Sequence, residues 1–337
     1  MATQEDFPRD RLGVLTGHNG SVHAVTYSAG LAQYLLTGSS DRTIRLFNPA
    51  RASTSSALIQ TYSAHGYDVL DLSVSADNAR FASVGGDRAV LLWDVASGAT
   101  LRRFRGHAAR VNACAFGGEG DGVLVSGSYD GTVRLWDVRA QGGREMMCLG
   151  EARDSVSAVR VVGADIVAAS VDGRVRTYDV RMGELTVDVI GHPVTSLTPT
   201  KRAESLLVSS LDSTLRLLDR ASGKLLQAYT TSSDSPHLFQ NTSYRVRSAL
   251  GCDENVVLSG SENGVVAVWD VMDGSRPKYV LRHAEGGLER GAAADEAGRK
   301  SAKRSVVSAV AFCPARREWV SAGGDGNVVV WGDAGGA

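Results

Sequence analysis

Cysteine is scarce in this chain and widely scattered. The four residues, Cys114, Cys148, Cys252 and Cys313, form no Cys-x-x-Cys pair. Structural zinc needs ligands clustered in pairs, and disulfide scaffolds are short and cysteine-dense, so neither organises this fold. The thiols read as reduced, buried side chains of a cytosolic or nuclear protein. An excess of either charge is also missing, since 36 Lys and Arg stand against 37 Asp and Glu, for a formal net charge of −1. A broad electrostatic grip on nucleic acid needs a concentrated basic surface, so direct sequence-specific nucleic-acid binding is not expected. No apolar run approaches the ~20 residues that cross a bilayer. The opening Met-Ala-Thr-Gln-Glu-Asp is acidic and polar, unlike a signal or transit peptide. The expectation is a soluble protein of the cytoplasm and nucleus. Helical periodicity is absent. So are strand–Gly-x-Gly-x-x-Gly–helix and Gly-x-x-x-x-Gly-Lys-Ser/Thr contexts, which argues against a bound nucleotide. Carboxylates are scattered over turns with no metal spacing beyond what repetition imposes, and no cofactor is expected.

What the chain has is a repeat. Seven segments align without gaps: LLTGSSDRTIRLFN (35–48), FASVGGDRAVLLWD (81–94), LVSGSYDGTVRLWD (124–137), VAASVDGRVRTYD (167–179), LVSSLDSTLRLLD (207–219), VLSGSENGVVAVWD (257–270) and VSAGGDGNVVVWG (320–332). Each has an alternating apolar run, a tight polar turn, and a second run ending in an aromatic residue or leucine. The turn position is held by Asp41, Asp87, Asp130, Asp172, Asp212, Asn263 and Asp325. Six positions later stand Phe47, Trp93, Trp136, Tyr178, Leu218, Trp269 and Trp331. Period-two alternation around such a turn is the signal of a β-hairpin.

A further strand precedes each hairpin, as in VHAVTY (22–27) and VNACAF (111–116), and another follows, as in ATLRRF (99–104). The preceding strands of units five and six, VTSLTP (194–199) and VRSAL (246–250), read as degenerate. Successive turns lie 46, 43, 42, 40, 51 and 62 residues apart. A four-stranded unit of ~40–45 residues is the blade of a β-propeller. One such sheet cannot bury both faces alone, and a ring of face-packed sheets does. Residues 11–15 (RLGVL) precede the first Gly-His as LRRFR precedes the third, so they read as the outer strand of the last blade. Such pairing closes the ring and removes an open edge. The fold expected is all-β, one seven-bladed propeller over residues 1–337.

The Trp-Asp endings, with Gly17-His18, Gly106-His107 and Ala64-His65 ahead of the early blades, resemble the WD40-repeat family over essentially the whole chain. EARDSVSAVRV (151–161), VDGRVRTYDVRMGEL (171–185) and SSLDSTLRLLD (209–219) are similar to one branch of it. That branch is the mitogen-activated protein kinase organizer family, also called WD-repeat domain-containing protein eighty-three. The likeness is strongest over about residues 10–230. It implies a scaffold whose partners are spliceosomal or kinase-cascade proteins, acting as a monomeric propeller within a larger complex. Two departures stand out: the polar insertion TTSSDSPHLFQNTS (230–243), and a stretch at 284–304 rich in Gly, Ala and charge. The second reads as a disordered surface loop. Its basic residues Arg299, Lys300, Lys303 and Arg304 are balanced there by Glu285, Glu289, Asp295 and Glu296.

His107, Ser126 and Asp130 have the residue types of a catalytic triad. The same trio recurs as His18, Thr37, Asp41 and as His65, Ser83, Asp87. A nucleophile gains nothing from three equivalent copies, whereas a structural hydrogen-bond bridge across each blade explains the recurrence. In blades two and three that bridge is expected to continue to Trp93 and Trp136, whose indole N–H needs a partner when buried. The chain therefore reads as non-catalytic.

Loops ahead of each blade and the central hairpin turns emerge on one face. Side chains there vary while the framework repeats, as a recognition face should. Tyr67, Asp68, Arg110, Tyr129, Asp154, Val171 and Leu211 are the candidate contacts, with Tyr and Arg favoured as hot spots and Val and Leu uneconomical if left exposed. Trp136-Asp137-Val138-Arg139 also matches the short Trp-Asp-x-Arg box of propellers that act as substrate receptors of cullin-type ubiquitin ligases. The alternative for Arg139 is a solvated side chain at a strand end.

Overall fold

In the computed structural model, which describes residues 7–333 apart from 55, 141, 232–237, 285–305 and 314, the alternating runs pair into seven four-stranded antiparallel sheets. The stretch 284–304 lies outside the described residues except for Ala284. In six sheets the four strands follow in chain order from the inner edge outward. The seventh takes its outer strand, Asp10–Leu15, from the other end of the chain, in antiparallel register with Val328–Gly332. The ring is closed as the pattern of residues 11–15 implies.

The second strand of each blade is almost wholly buried, as in Leu35–Ser39 and Val256–Gly260, because both its faces are covered by neighbouring sheets. Outer strands such as Glu145–Leu149 and Glu184–Val189 are mostly exposed. The core is divided into seven apolar clusters, one per blade interface. An outer-strand aromatic seals several of these against the next blade. Tyr62 meets Phe81 and Trp93 at centroid distances of 4.9 and 5.7 Å, and Phe104 lies 5.5 Å from Trp136. Leu15, three residues before His18 as Phe104 is before His107, fills the same place between blades seven and one with Phe47. Gly127 is required by this packing: a Cβ there would lie 2.5 Å from a Val156 methyl of the next blade.

Blade five corrects one expectation. Its inner strand, Val194–Pro199, is a full six residues and has the same register shift after its first residue as five other inner strands. Its apparent weakness came from Thr, Ser and Pro in the sequence, yet Thr195 and Ser196 are buried with hydrogen-bond partners. Only blade six is short, at Ser248–Gly251. The insertion ahead of it carries Phe239 onto Trp269, edge to face at 5.1 Å, and buries Asn241 between blades five and six.

Candidate functional site

The three histidine bridges are built alike. His107 Nδ1 lies 3.0 Å from Asp130 and Nε2 2.8 Å from Ser126 Oγ; the indole N–H of Trp136 donates to that Oγ at 2.8 Å. His65 joins Asp87 at 3.0 Å and Ser83 at 2.7 Å, with Trp93 donating to Ser83 at 2.8 Å. His18 joins Asp41 at 2.8 Å and Thr37 at 2.7 Å, and the position of the indole is held by Phe47. A neutral imidazole satisfies each group once: Nδ1–H donates to the aspartate, and Nε2 accepts from the hydroxyl. Burial lowers the pKa of His18 and His107 despite the neighbouring carboxylates, which suits that state. Burial alone would raise Asp130, but hydrogen bonds from Thr132 and the Ala108 amide outweigh it and hold the carboxyl down to about 2. The hydroxyls of this trio cannot meet a substrate, since Thr37, Ser83 and Ser126 are 0% exposed.

Other blades solve the same problem differently. In blade four no histidine stands ahead of the inner strand, and in blade five His192 stands there but stays exposed, 3.8 Å from Asp212; in both an arginine of the third strand turns inward instead. Arg176 forks onto Asp172 at 2.6 Å and Ser170 at 2.7 Å; Arg216 forks onto Asp212 at 2.5 Å and Ser210 at 2.6 Å. Arg45 and Arg134 occupy the equivalent positions of blades one and three, where histidine fills the interior. There the guanidinium lies over the glycine of the Gly-His pair, and a Cβ at Gly106 would come within 2.6 Å of Arg134 Nη1. Blade seven has a fourth histidine bridge that the sequence pattern did not flag. His283 lies 2.8 Å from Ser321 and 3.3 Å from Asp325, its two nitrogens exchanged relative to the other copies, and Trp331 donates to Ser321 at 2.9 Å. In blade six Trp269 donates to the Thr230 carbonyl at 3.1 Å.

The candidate contact residues divide between two faces. Tyr67 and Tyr129 stand 65% and 55% exposed, and Asp68, Arg110, Asp154 and Val171 are exposed beside them on blades two to four. The Arg110 guanidinium stacks on the Tyr129 ring at 4.9 Å, and the Tyr129 amide donates to the Arg110 carbonyl at 2.9 Å. Asp154 also accepts from the Ser155 amide at 2.6 Å. Leu211 corrects the reading of an exposed apolar turn residue: it is half-buried, and its amide is bonded to the Pro193 carbonyl at 2.9 Å. Arg139 sits on the opposite face, in the loop between third and outer strands. It is exposed, and its guanidinium donates to the Glu119 carbonyl at 3.3 Å.

Sequence reasoning also missed the axis. A cavity of about 180 Å³ opens on the Tyr129 face, lined by His23, Arg110, Asn112, Tyr244, Arg245 and Ser308 among others. Below it, Asp71 of blade two, 1% exposed, pairs at 2.6 Å with Arg247 of blade six, across the ring. The one available signal was a charged residue inside the apolar run VLDLSV (69–74).

The model of the WD domain, G-beta repeat, matches residues 9–48, 56–94, 98–137 and 299–332. The stretch it passes over holds blades four to six, where tyrosine or leucine replaces tryptophan or, in blade six, the Gly-His pair is missing. The rat WD repeat domain-containing protein 83 is 44% identical over 270 residues, covering 80% of this chain and 82% of that protein. The human protein of the same name is also 44% identical over 270 residues, with the same coverage of both chains, 80% and 82%. The Dictyostelium discoideum homolog is 25% identical over 347 residues, covering 94% of this chain and 96% of its own. With the propeller, its closing strand and this extent of identity in hand, the chain belongs to the WD repeat domain-containing protein 83 family.

Proposed function

We propose that this protein is a non-catalytic scaffold that organises a multiprotein assembly of the nucleus and cytoplasm. By family resemblance, that assembly is spliceosomal or belongs to a mitogen-activated kinase cascade. One observation carries the reading. The backbone link from hairpin turn to inner-strand loop repeats around the ring, as Gly86 to Asp68, Tyr129 to Arg110, Val171 to Ser155 and Leu211 to Pro193, while the side chains mounted on it differ from blade to blade. A rigid frame presenting unlike Tyr, Arg, Asp and Val side chains suits recognition by a protein surface. The recurrent His–hydroxyl–Asp sets belong to the frame, not to chemistry.

Alanine at both Arg110 and Tyr129 is expected to reduce recovery of the bound proteins in affinity purification with mass spectrometry, with the thermal melt unchanged. Unaltered recovery rejects this face. Splicing factors or kinases among the wild-type partners would separate the two contexts. The exposed Arg139 favours a second reading, a substrate receptor of a cullin-type ubiquitin ligase, on the opposite face. Loss of a ligase adaptor from the Arg139→Ala purification would support it, and absence of any adaptor from the wild-type purification would reject it.

A further inference from the structure

The mouth of the axis concentrates positive charge to a degree that the composition of the chain gives no hint of. Arg110 stands at the rim, Arg245 lines the cavity, and Arg247 and Arg160 lie around Asp71 below. Asp71 is the carboxylate that acts on both Arg245 and Arg160, and Arg247 already holds it at 2.6 Å. Four guanidinium groups therefore crowd around Asp71 and the channel mouth, where Coulomb energies are larger than at a free surface. Arg245 shows the consequence most clearly. Its Nη1 donates to the Asn112 carbonyl at 2.7 Å, but its Nε is buried with no hydrogen-bond partner. Burial, then repulsion from Arg247, Arg160 and Arg110, pushes its pKa down to about 9.

The loop that carries Arg245 is fixed in place. The Glu262 carboxylate accepts from three successive amides, Thr242 at 2.7 Å, Ser243 at 2.6 Å and Tyr244 at 2.8 Å. The guanidinium is thus set at the cavity wall before any ligand arrives. The cation–π stack on Tyr129 steadies Arg110 on the other side. His23, Asn112 and Ser308 complete the wall, and the Asn112 amide and Ser308 hydroxyl already donate to the Val156 and Val22 carbonyls of the frame. Two guanidinium forks facing one cavity match the oxygens of a tetrahedral anion, and an anion there relieves repulsion that the folded protein otherwise stores.

We propose that the axial mouth binds a phosphoryl group, free or borne on a phosphorylated side chain of a partner. The free-ion arm does not depend on the scaffold reading, so failure of one leaves the other standing.

The test uses the full chain and calorimetric titration with inorganic phosphate, against chloride at matched ionic strength. The wild type is expected to bind phosphate over chloride, with Arg245→Gln weakening it at least about tenfold and Arg110→Gln weakening it by a smaller factor. No phosphate binding above the chloride control overturns the proposal, and so does wild-type affinity in both variants. Should Arg245→Gln fail to fold, the exposed Arg110→Gln and the wild-type titration decide alone. A phosphoserine peptide and its serine counterpart then distinguish the sources. Tighter binding of the phosphopeptide than of phosphate, with the serine peptide silent, assigns a partner side chain; equal affinity assigns the free ion. Phosphopeptide binding unchanged in Arg110→Gln overturns the site.

Discussion

Ser126 is the branch point of its blade, because one hydroxyl accepts from the Trp136 indole and donates to His107. Replacing it with alanine strands two buried polar groups at once. Each unsatisfied group costs about 1 to 3 kcal/mol, so Ser126→Ala is expected to cost about 2 to 6 kcal/mol. Thr37 has no indole to satisfy, since Phe47 stands in that position. Thr37→Val keeps the shape, strands one nitrogen of His18, and is expected to cost about half as much. Chemical denaturation of the two variants checks this: equal losses would show that the indole branch contributes nothing. At this scale legibility followed local spacing. His18, His65 and His107 stand 22 or 23 residues before their aspartates, so the trio could be read three times over. His283 escaped because 42 residues separate it from Asp325, with Arg282 in place of the glycine. Arg176 and Arg216 escaped for another reason. Arg45 and Arg134 share their column in the repeat, and the guanidinium takes the interior only where no histidine fills it: blade four has none, and in blade five His192 stays exposed.

The strand Asp10–Leu15 does more than complete a sheet. Leu15 is buried against Phe47 of blade one, while Phe7 packs on Tyr279 and Trp319 near the seam between blades six and seven. The Pro8 carbonyl also accepts the Trp319 indole N–H at 2.7 Å. Burying Phe7 and Leu15 contributes about 2 to 3 kcal/mol each, before the strand's own hydrogen bonds are added. Removing residues 1–16 is therefore expected to lower the melting temperature by about 10 °C or more. An unchanged melt would mean that the ring closes without this strand. The closing strand was legible because the Gly-His that follows it sets its place in the repeat. The packing of the insertion ahead of blade six was not. Its run of Ser, Thr and Asp reads as solvated loop, and the Phe239 that anchors it to Trp269 carries no periodic signal. Blade five erred in the opposite direction: its Thr and Ser weaken the hydrophobic pattern, yet their hydroxyls bond to neighbouring strands in the interior.

A closed ring makes each blade depend on two neighbours, so the polar bridges act on the stability of the whole molecule rather than of one sheet. The number of blades and their closure could be read along the chain, because repeats and spacing are local properties. The axis could not. Asp71 and Arg247 are 176 residues apart and meet only because the ring brings blade two opposite blade six. Acid sensitivity belongs to this scale too, since the histidines of blades one and three shift in the same direction. His18 and His107 have folded pKa values below the 6.5 of the free side chain. A lowered value means that the unfolded chain binds protons first, so stability is full above about 6.5 and falls as pH drops through the folded values. Asp130 and Asp172 are each held down to about 2 from 3.8, and their contribution persists until the pH falls below about 4. Melting temperature measured from pH 8 to 3 is therefore expected to be level at first. It should decline from about pH 6.5, then fall more steeply below about 4. Replacing His18 and His107 together by glutamine should lower the plateau, because the bridges are weakened, and flatten the first decline, because the titrating groups are gone. A double variant that kept the wild-type slope between pH 6.5 and 5 would place the acid response outside these bridges.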